Sequence, residues 1–135
     1  LTATTPAQAT PGQRMTAAYL NQFIPGPVTA ITSFSNGWAN RGAGNTPFSV
    51  RLINSVTVHI TGQVVAGTLT ASTQMAALPA LSWAPIEACV VPAWNEQTGA
   101  CHGLFVANNG ALLLLGAWES STSGFFINGT YALDI

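Results

Sequence analysis

The side chains that could do chemistry in this 135-residue chain are few and scattered. His59 and His102 are its two imidazoles, Cys89 and Cys101 its two thiols, and Glu87, Glu96, Glu119 and Asp134 its four acidic side chains. A catalytic imidazole needs a nucleophile and an orienting acid within reach, and neither histidine has either at a recognisable spacing. Cys89 with the Cys101-His102 pair supplies three potential zinc ligands, but a closed zinc site takes four and no C-x-x-C is present. No metal and no cofactor are therefore expected. Nothing in the spacing of the carboxylates brings two of them over a scissile bond, and no serine stands in a G-x-S-x-G turn. The run "GAGN" (residues 42–45) has a G-x-G but neither a third glycine nor a following helix, so it reads as a turn-rich entry to a strand and not as a phosphate cradle. Catalysis is not expected.

Two clusters suit binding better. "AWNEQTG" places Trp94, Asn95, Glu96 and Gln97 together on a turn, and "AWESSTSG" places Trp118, Glu119 and Ser120 on another. An indole offers a flat face to the C–H side of a sugar, while amides and carboxylates fix its hydroxyls. Both clusters are candidate ligand sites. The competing role for each Trp is to plug one end of the fold or a seam between subunits. Trp38 and Trp83, beside Gly or Pro, read as core or interface residues.

The elements that must position these residues are mostly strands. "TAAYLNQFI" (residues 16–24) sets Ala17, Leu20, Phe23 and Ile24 at helical spacing, with Thr16 as N-cap and Pro25-Gly26-Pro27 as the stop. After that one short helix the period changes to two. Val56, Val58 and Ile60 alternate with Thr57, His59 and Thr61, which predicts a strand with one wet face. Further strands are expected over 48–53, 68–75, 86–93, 100–107, 111–117, 124–128 and 130–133. Seven or eight short, turn-marked strands predict an all-β fold, an antiparallel β-sandwich of jelly-roll type. Residues 1–27 read as linker and helix, and 28–135 as the sandwich domain.

The cysteines leave two alternatives. A disulfide across a hairpin needs a loop centred on Asn95, whereas the turn "NEQTG" centres about two residues later. Either the loop is irregular, or the thiols are separate small apolar residues on their strands.

Only 5% of the residues are charged, with a net charge of −1, where about 25% is ordinary. Three arginines and no lysine cannot neutralise a phosphate backbone, so nucleic acid is not an expected partner. Mean hydropathy is +0.37, yet the longest apolar run, "ALLLLGAW", falls far short of the roughly 20 residues of a spanning helix. Membrane insertion is not expected. The opening residues carry no basic, apolar leader and no initiator Met, which leads us to expect a piece of a longer chain. "ALLLL" and "GLFVA" are apolar on both registers, and a strand with two dry faces needs cover on both sides. A second copy of the chain supplies that cover most simply, although loops or the N-terminal helix could also do so.

A resemblance sharpens this. Trp38, Asn40 and Gly42 fit a "W-x-N-x-G" opening; Val56, Val58, Gly62, Val64, Gly67 and Thr68 follow the sense of a "V-x-V-x-G-x-V-x-G-T" strand; Leu78-Pro79 and Pro85 come after them. This grammar resembles the head domains that end bacteriophage tail-fibre and minor tail (receptor-binding) proteins. "TPGQRMTAAYLNQFIP" is similar to the lead before such heads in phages of actinobacteria, and "GALLLLGAWESSTSGFFINGTYALDI" to their last strands. At "ALSWAP" the family's Gly-Tyr-Arg is absent, so no role of those residues carries over. The resemblance implies a homotrimeric β-sandwich at the tip of a fibre, outside the cell on the virion tail. It would be joined to the rest of the fibre and bind a host cell-surface glycan or protein. A carbohydrate-binding module of a secreted bacterial enzyme is the alternative, typically monomeric, and a glycan depolymerase would need converging carboxylates.

Overall fold

A computed structural model of the chain describes Ala17 and residues 24–133. Most of the helix expected over 16–24 lies outside them. The described chain is all-β and antiparallel. Its strands are β1 (Thr29–Ala30), β2 (Ser33–Phe34), β3 (Ala39–Asn40), β4 (Ser49–Leu52), β5 (Thr57–Val65), β6 (Gln74–Ala77), β7 (Cys89–Asn95), β8 (Cys101–Val106), β9 (Ala111–Leu115) and β10 (Phe125–Ala132). A single turn of 3-10 helix covers Leu81–Trp83.

All ten strands belong to one hydrogen-bonded sheet, ordered β1-β4-β5-β10-β7-β8-β9-β6-β2, with β3 pairing the far end of β5. The two edge strands of that order, β1 and β2, are separated in sequence by Ile31 and Thr32 alone. The three Cα steps from Ala30 to Ser33 span at most about 11 Å, so the edges must come together and the sheet must curl upon itself. Curling protects the edges from pairing with other chains. Ile31 is fully buried at the join and donates its amide to the Phe48 carbonyl at 2.9 Å.

Alternation decides which side chains the curl encloses. On β5 Val58, Ile60 and Val64 are fully buried while Thr57, His59, Thr61 and Gln63 face outward, and β10 encloses Phe125, Ile127 and Tyr131. On β9 Leu112 and Leu114 are buried, whereas Leu113 is half-buried and Leu115 is 53% exposed. Gly62 lies on the inner register where the backbone of Phe48 crosses β5. A Cβ there would stand 2.4 Å from the Phe48 Cα, so the crossing requires glycine.

Three expectations change in detail. The segments 124–128 and 130–133 are one strand, because Gly129 continues the ladder and does not end it; its bare Cα lets Val91 and Pro92 pack close. The strand expected over 68–75 shrinks to Gln74–Ala77, since residues 68–73 form a loop that returns to β9 and bonds the Leu114 carbonyl and amide. The strand expected over 86–93 slides to Cys89–Asn95.

Truncating Leu114→Ala is expected to cost about 3 kcal/mol by urea unfolding, against less than about 0.5 kcal/mol for Leu115→Ala in a dissociated chain. Gly62→Ala is expected to cost about 3 kcal/mol, and Gly42→Ala, where φ is +98° and the space is open, about 1 kcal/mol.

Candidate functional site

The two tryptophan turns meet at one end of the curled sheet. Asn95, fully buried, is the centre of the junction. Its Oδ1 accepts from the amides of Gln97 (2.9 Å) and Thr98 (3.3 Å), which folds the β7–β8 turn. Its Nδ2 donates to the Ser120 carbonyl at 3.1 Å and, more weakly, to Glu119 Oε1 at 3.4 Å, which ties that turn to the 118–124 loop. Thr98 Oγ donates to Glu119 Oε1, and Thr122 donates its amide to Gln97 Oε1 at 2.9 Å. Four of the candidate ligand residues, Asn95, Glu96, Gln97 and Glu119, are thus engaged within the fold. Glu96 is paired with Arg41, 55 positions away in sequence, and takes two long bonds from Gln63 at 3.3 Å. Sequence reading had no signal for the Arg41 contact, which β3 creates by pairing the end of β5.

Trp118 departs from its expected role. It is 4% exposed, and its ring is packed by His102 (stacked, centroids 5.5 Å apart), Trp38 (edge-on, 5.7 Å) and Phe125 (4.9 Å). No ring face remains for a sugar, so Trp118 is a plug of this end of the core, the competing role its sequence allowed. Trp38 and Trp83 are core residues too, 3% and 8% exposed. Trp94 differs: it points outward from β7 and is 36% exposed, opposite Cys101 and Phe126 in the ladders. Glu119 Oε1 lies 3.8 Å from His102 Nε2, too far for a hydrogen bond, and that buried nitrogen has no partner. Among the described residues no three His, Cys, Asp or Glu side chains are grouped to hold a metal, and no helix is long and apolar enough to cross a membrane.

The outer face of β7, β8 and β9 carries the largest chemical statement on the surface. Cross-strand register sets Val90 beside Phe105 and Phe105 beside Leu113, and in the next row Pro92 beside Gly103 and Gly103 beside Leu115. A Cβ on Gly103 would meet Val90 Cγ1 at 2.8 Å and Leu115 Cδ2 at 3.1 Å, so the two side chains close over it. Val90 is 49% and Leu115 53% exposed. Phe105, Leu113 and Leu115 line a shallow cavity of about 190 Å³. On this face Val90 and Leu115 are exposed, while Phe105 and Leu113 are partly buried within the chain.

The cysteines resolve the same hairpin. Cys89 pairs Val106 and Cys101 pairs Trp94, so they stand at opposite ends of the ladder, about 17 Å apart along the strands. Both are free thiols. Cys89 packs against the core, and burial pushes its pKa above the ordinary thiol value of 9.0. At the same end Tyr131 donates its hydroxyl to the Trp83 carbonyl at 2.8 Å. Burial, and secondarily the charge on an ionised Cys89, push its pKa well above 10.0. The folded chain holds both protons more tightly than the unfolded chain. Stability is therefore full below pH 9.0 and falls as pH rises past the ordinary values of 9.0 and 10.0. The urea midpoint is expected to drop between neutral pH and about pH 10, with a smaller drop in Tyr131→Phe; a constant midpoint would contradict this. Iodoacetamide is expected to label exposed Cys101 at least about tenfold faster than Cys89, read by mass spectrometry.

Comparison with known proteins returns no match, either to a protein-family model or, at a significant level, to a curated protein.

Proposed function

We propose that the chain is a non-catalytic head domain of a bacteriophage tail fibre, its curled sheet a jelly-roll-like sandwich, assembled as a homotrimer and binding a host-surface glycan or protein. The observation that carries this reading is the apolar outer face of β7 to β9, where Val90 and Leu115 are exposed, on a protein with only 5% charged residues. Burying Val90, Phe105, Leu113 and Leu115 against sister copies removes from water the surface that would otherwise drive unspecific association. At roughly 25 cal/mol per Å², a few hundred Å² of apolar surface per copy supplies several kcal/mol. In a fibre each head would be tethered to a stalk that gathers the copies, so even a weak face closes at high effective concentration. Of the four tryptophans only Trp94 is left partly open to water, at 36% exposure.

Trp94 favours a second reading, a monomeric carbohydrate-binding module, because a partly exposed indole on the outer face of a sheet is a platform for the C–H face of a sugar.

Multi-angle light scattering separates the two. The wild-type chain is expected at three times its 13.9 kDa mass, and Leu115→Glu and Val90→Glu each at one, while Thr130→Glu on the polar part of the outer face stays trimeric. A wild-type monomer at micromolar concentration, with glycan binding lost on Trp94→Ala, would instead establish the binding module.

A further inference from the structure

The outer face changes character across β10. Over β4 and β5 it is polar, and the ladder sets Arg51 opposite His59 and Ser49 opposite Thr61. These four side chains floor a cleft of about 400 Å³, within the range of pockets that hold small ligands. Val28 and Ala30 from the β1 edge and Pro47 from the approach to β4 form its apolar walls.

Arg51 is the unusual member. Its Nε is shut off from solvent and has no hydrogen-bond partner. Among the described residues no carboxylate pairs with it, whereas the other described arginine, Arg41, is held by Glu96. Nε, closed to solvent, is closed to a ligand as well, but among the described residues nothing bonds the two terminal Nη groups, and at the cleft these offer an oxyanion two parallel charge-assisted hydrogen bonds. Ser49 is 7% exposed and one of two buried polar residues among those described; the other, Asn95, is consumed by its own turn. His59 is held in place on the floor through Nε2 and Asn128 Oδ1, 2.6 Å apart.

From this geometry we infer that the cleft binds an acidic sugar unit: its carboxylate or phosphate on Arg51, its hydroxyls on Ser49 and Thr61, and a C–H face against Val28, Ala30 and Pro47. The inference rests on the host-glycan reading for the source of the ligand, and names its class. It also moves the binding site away from the tryptophan turns, to a face that the apolar seam of β7 to β9 leaves free.

Calorimetric titration of the full chain with glucuronate, glucose 6-phosphate, glucose and inorganic phosphate tests it. At least one acidic sugar is expected to bind on the order of tenfold or more tighter than glucose and than phosphate alone. Binding to glucuronate alone identifies a carboxylate ligand, and binding to glucose 6-phosphate alone a phosphorylated one. Arg51→Gln is expected to weaken binding by on the order of tenfold or more, with circular dichroism confirming the fold. Ala30→Leu fills the cleft from an exposed edge position without touching a charge and should weaken it too; Arg41→Gln should not. Equal affinity for glucose, equal affinity for phosphate alone, no binding of either acid, or undiminished binding in Arg51→Gln and Ala30→Leu would each overturn the proposal. A monomer that binds an acid through Arg51 supports the cleft while contradicting the fibre head, and a trimer that binds neither acid does the reverse.

Discussion

Ile31 and Thr32 are the constraint on which the rest depends. They join strands that lie at opposite ends of the sheet order, so ten antiparallel strands have no way to lie flat. Closure sorts every strand into an inner and an outer register with no intermediate choice, because side chains on a strand alternate. The inner register then holds the whole apolar core, from Phe48 through Ile60 and Phe125 to Leu112. The outer register is left to deal with everything outside, and it does so with almost no charge.

That outer register is divided. From β4 to β10 it presents Arg51, His59, Thr61, Gln63, Asn128 and Thr130, which water or a polar ligand satisfies. From β7 to β9 it presents Val90, Phe105, Leu113 and Leu115, which only apolar matter satisfies. The two halves share one backbone and one curl, and differ in what each can be pressed against. The proposed seam between copies on one half and the proposed ligand cleft on the other would leave neither half exposed to the wrong neighbour. The charge that remains is spent on the end loops, where Arg41 and Glu96 lock β3 to the β7–β8 turn.

Much of this was legible in the sequence, and what was not has physical causes. Period-two alternation marked β5 because one of its faces is wet, and the doubly apolar "ALLLL" run marked β9 as a strand apolar on both registers. The hairpin centre, displaced from Asn95, already weighed against a bridge between Cys89 and Cys101, and the ladder places them far apart. By contrast, β1, β2 and β3 are two residues each, too short for any period, yet they close the sheet and bring Arg41 to Glu96. Trp118 sat in a run of polar turn residues that masked its burial, because the ring turns back from the loop into the Trp38–Phe125 cluster. The Arg51 cleft was invisible for the same reason as the Arg41 pair: its floor comes from adjacent strands but its walls come from β1 and the loop before β4, and only closure assembles them.

Hydroxyl-radical footprinting of the wild-type chain, read by mass spectrometry, reports most directly on whether a sister copy covers the β7–β9 face. In the isolated fold Leu115 (53% exposed) and Val90 (49%) are comparable in exposure to Ile86 (60%) and Leu81 (69%), which lie outside β7, β8 and β9. Coverage by a sister copy predicts that Leu115 and Val90 are oxidised far more slowly than Ile86 and Leu81. Oxidation of all four at similar rates would show the face open to water and contradict the assembled head.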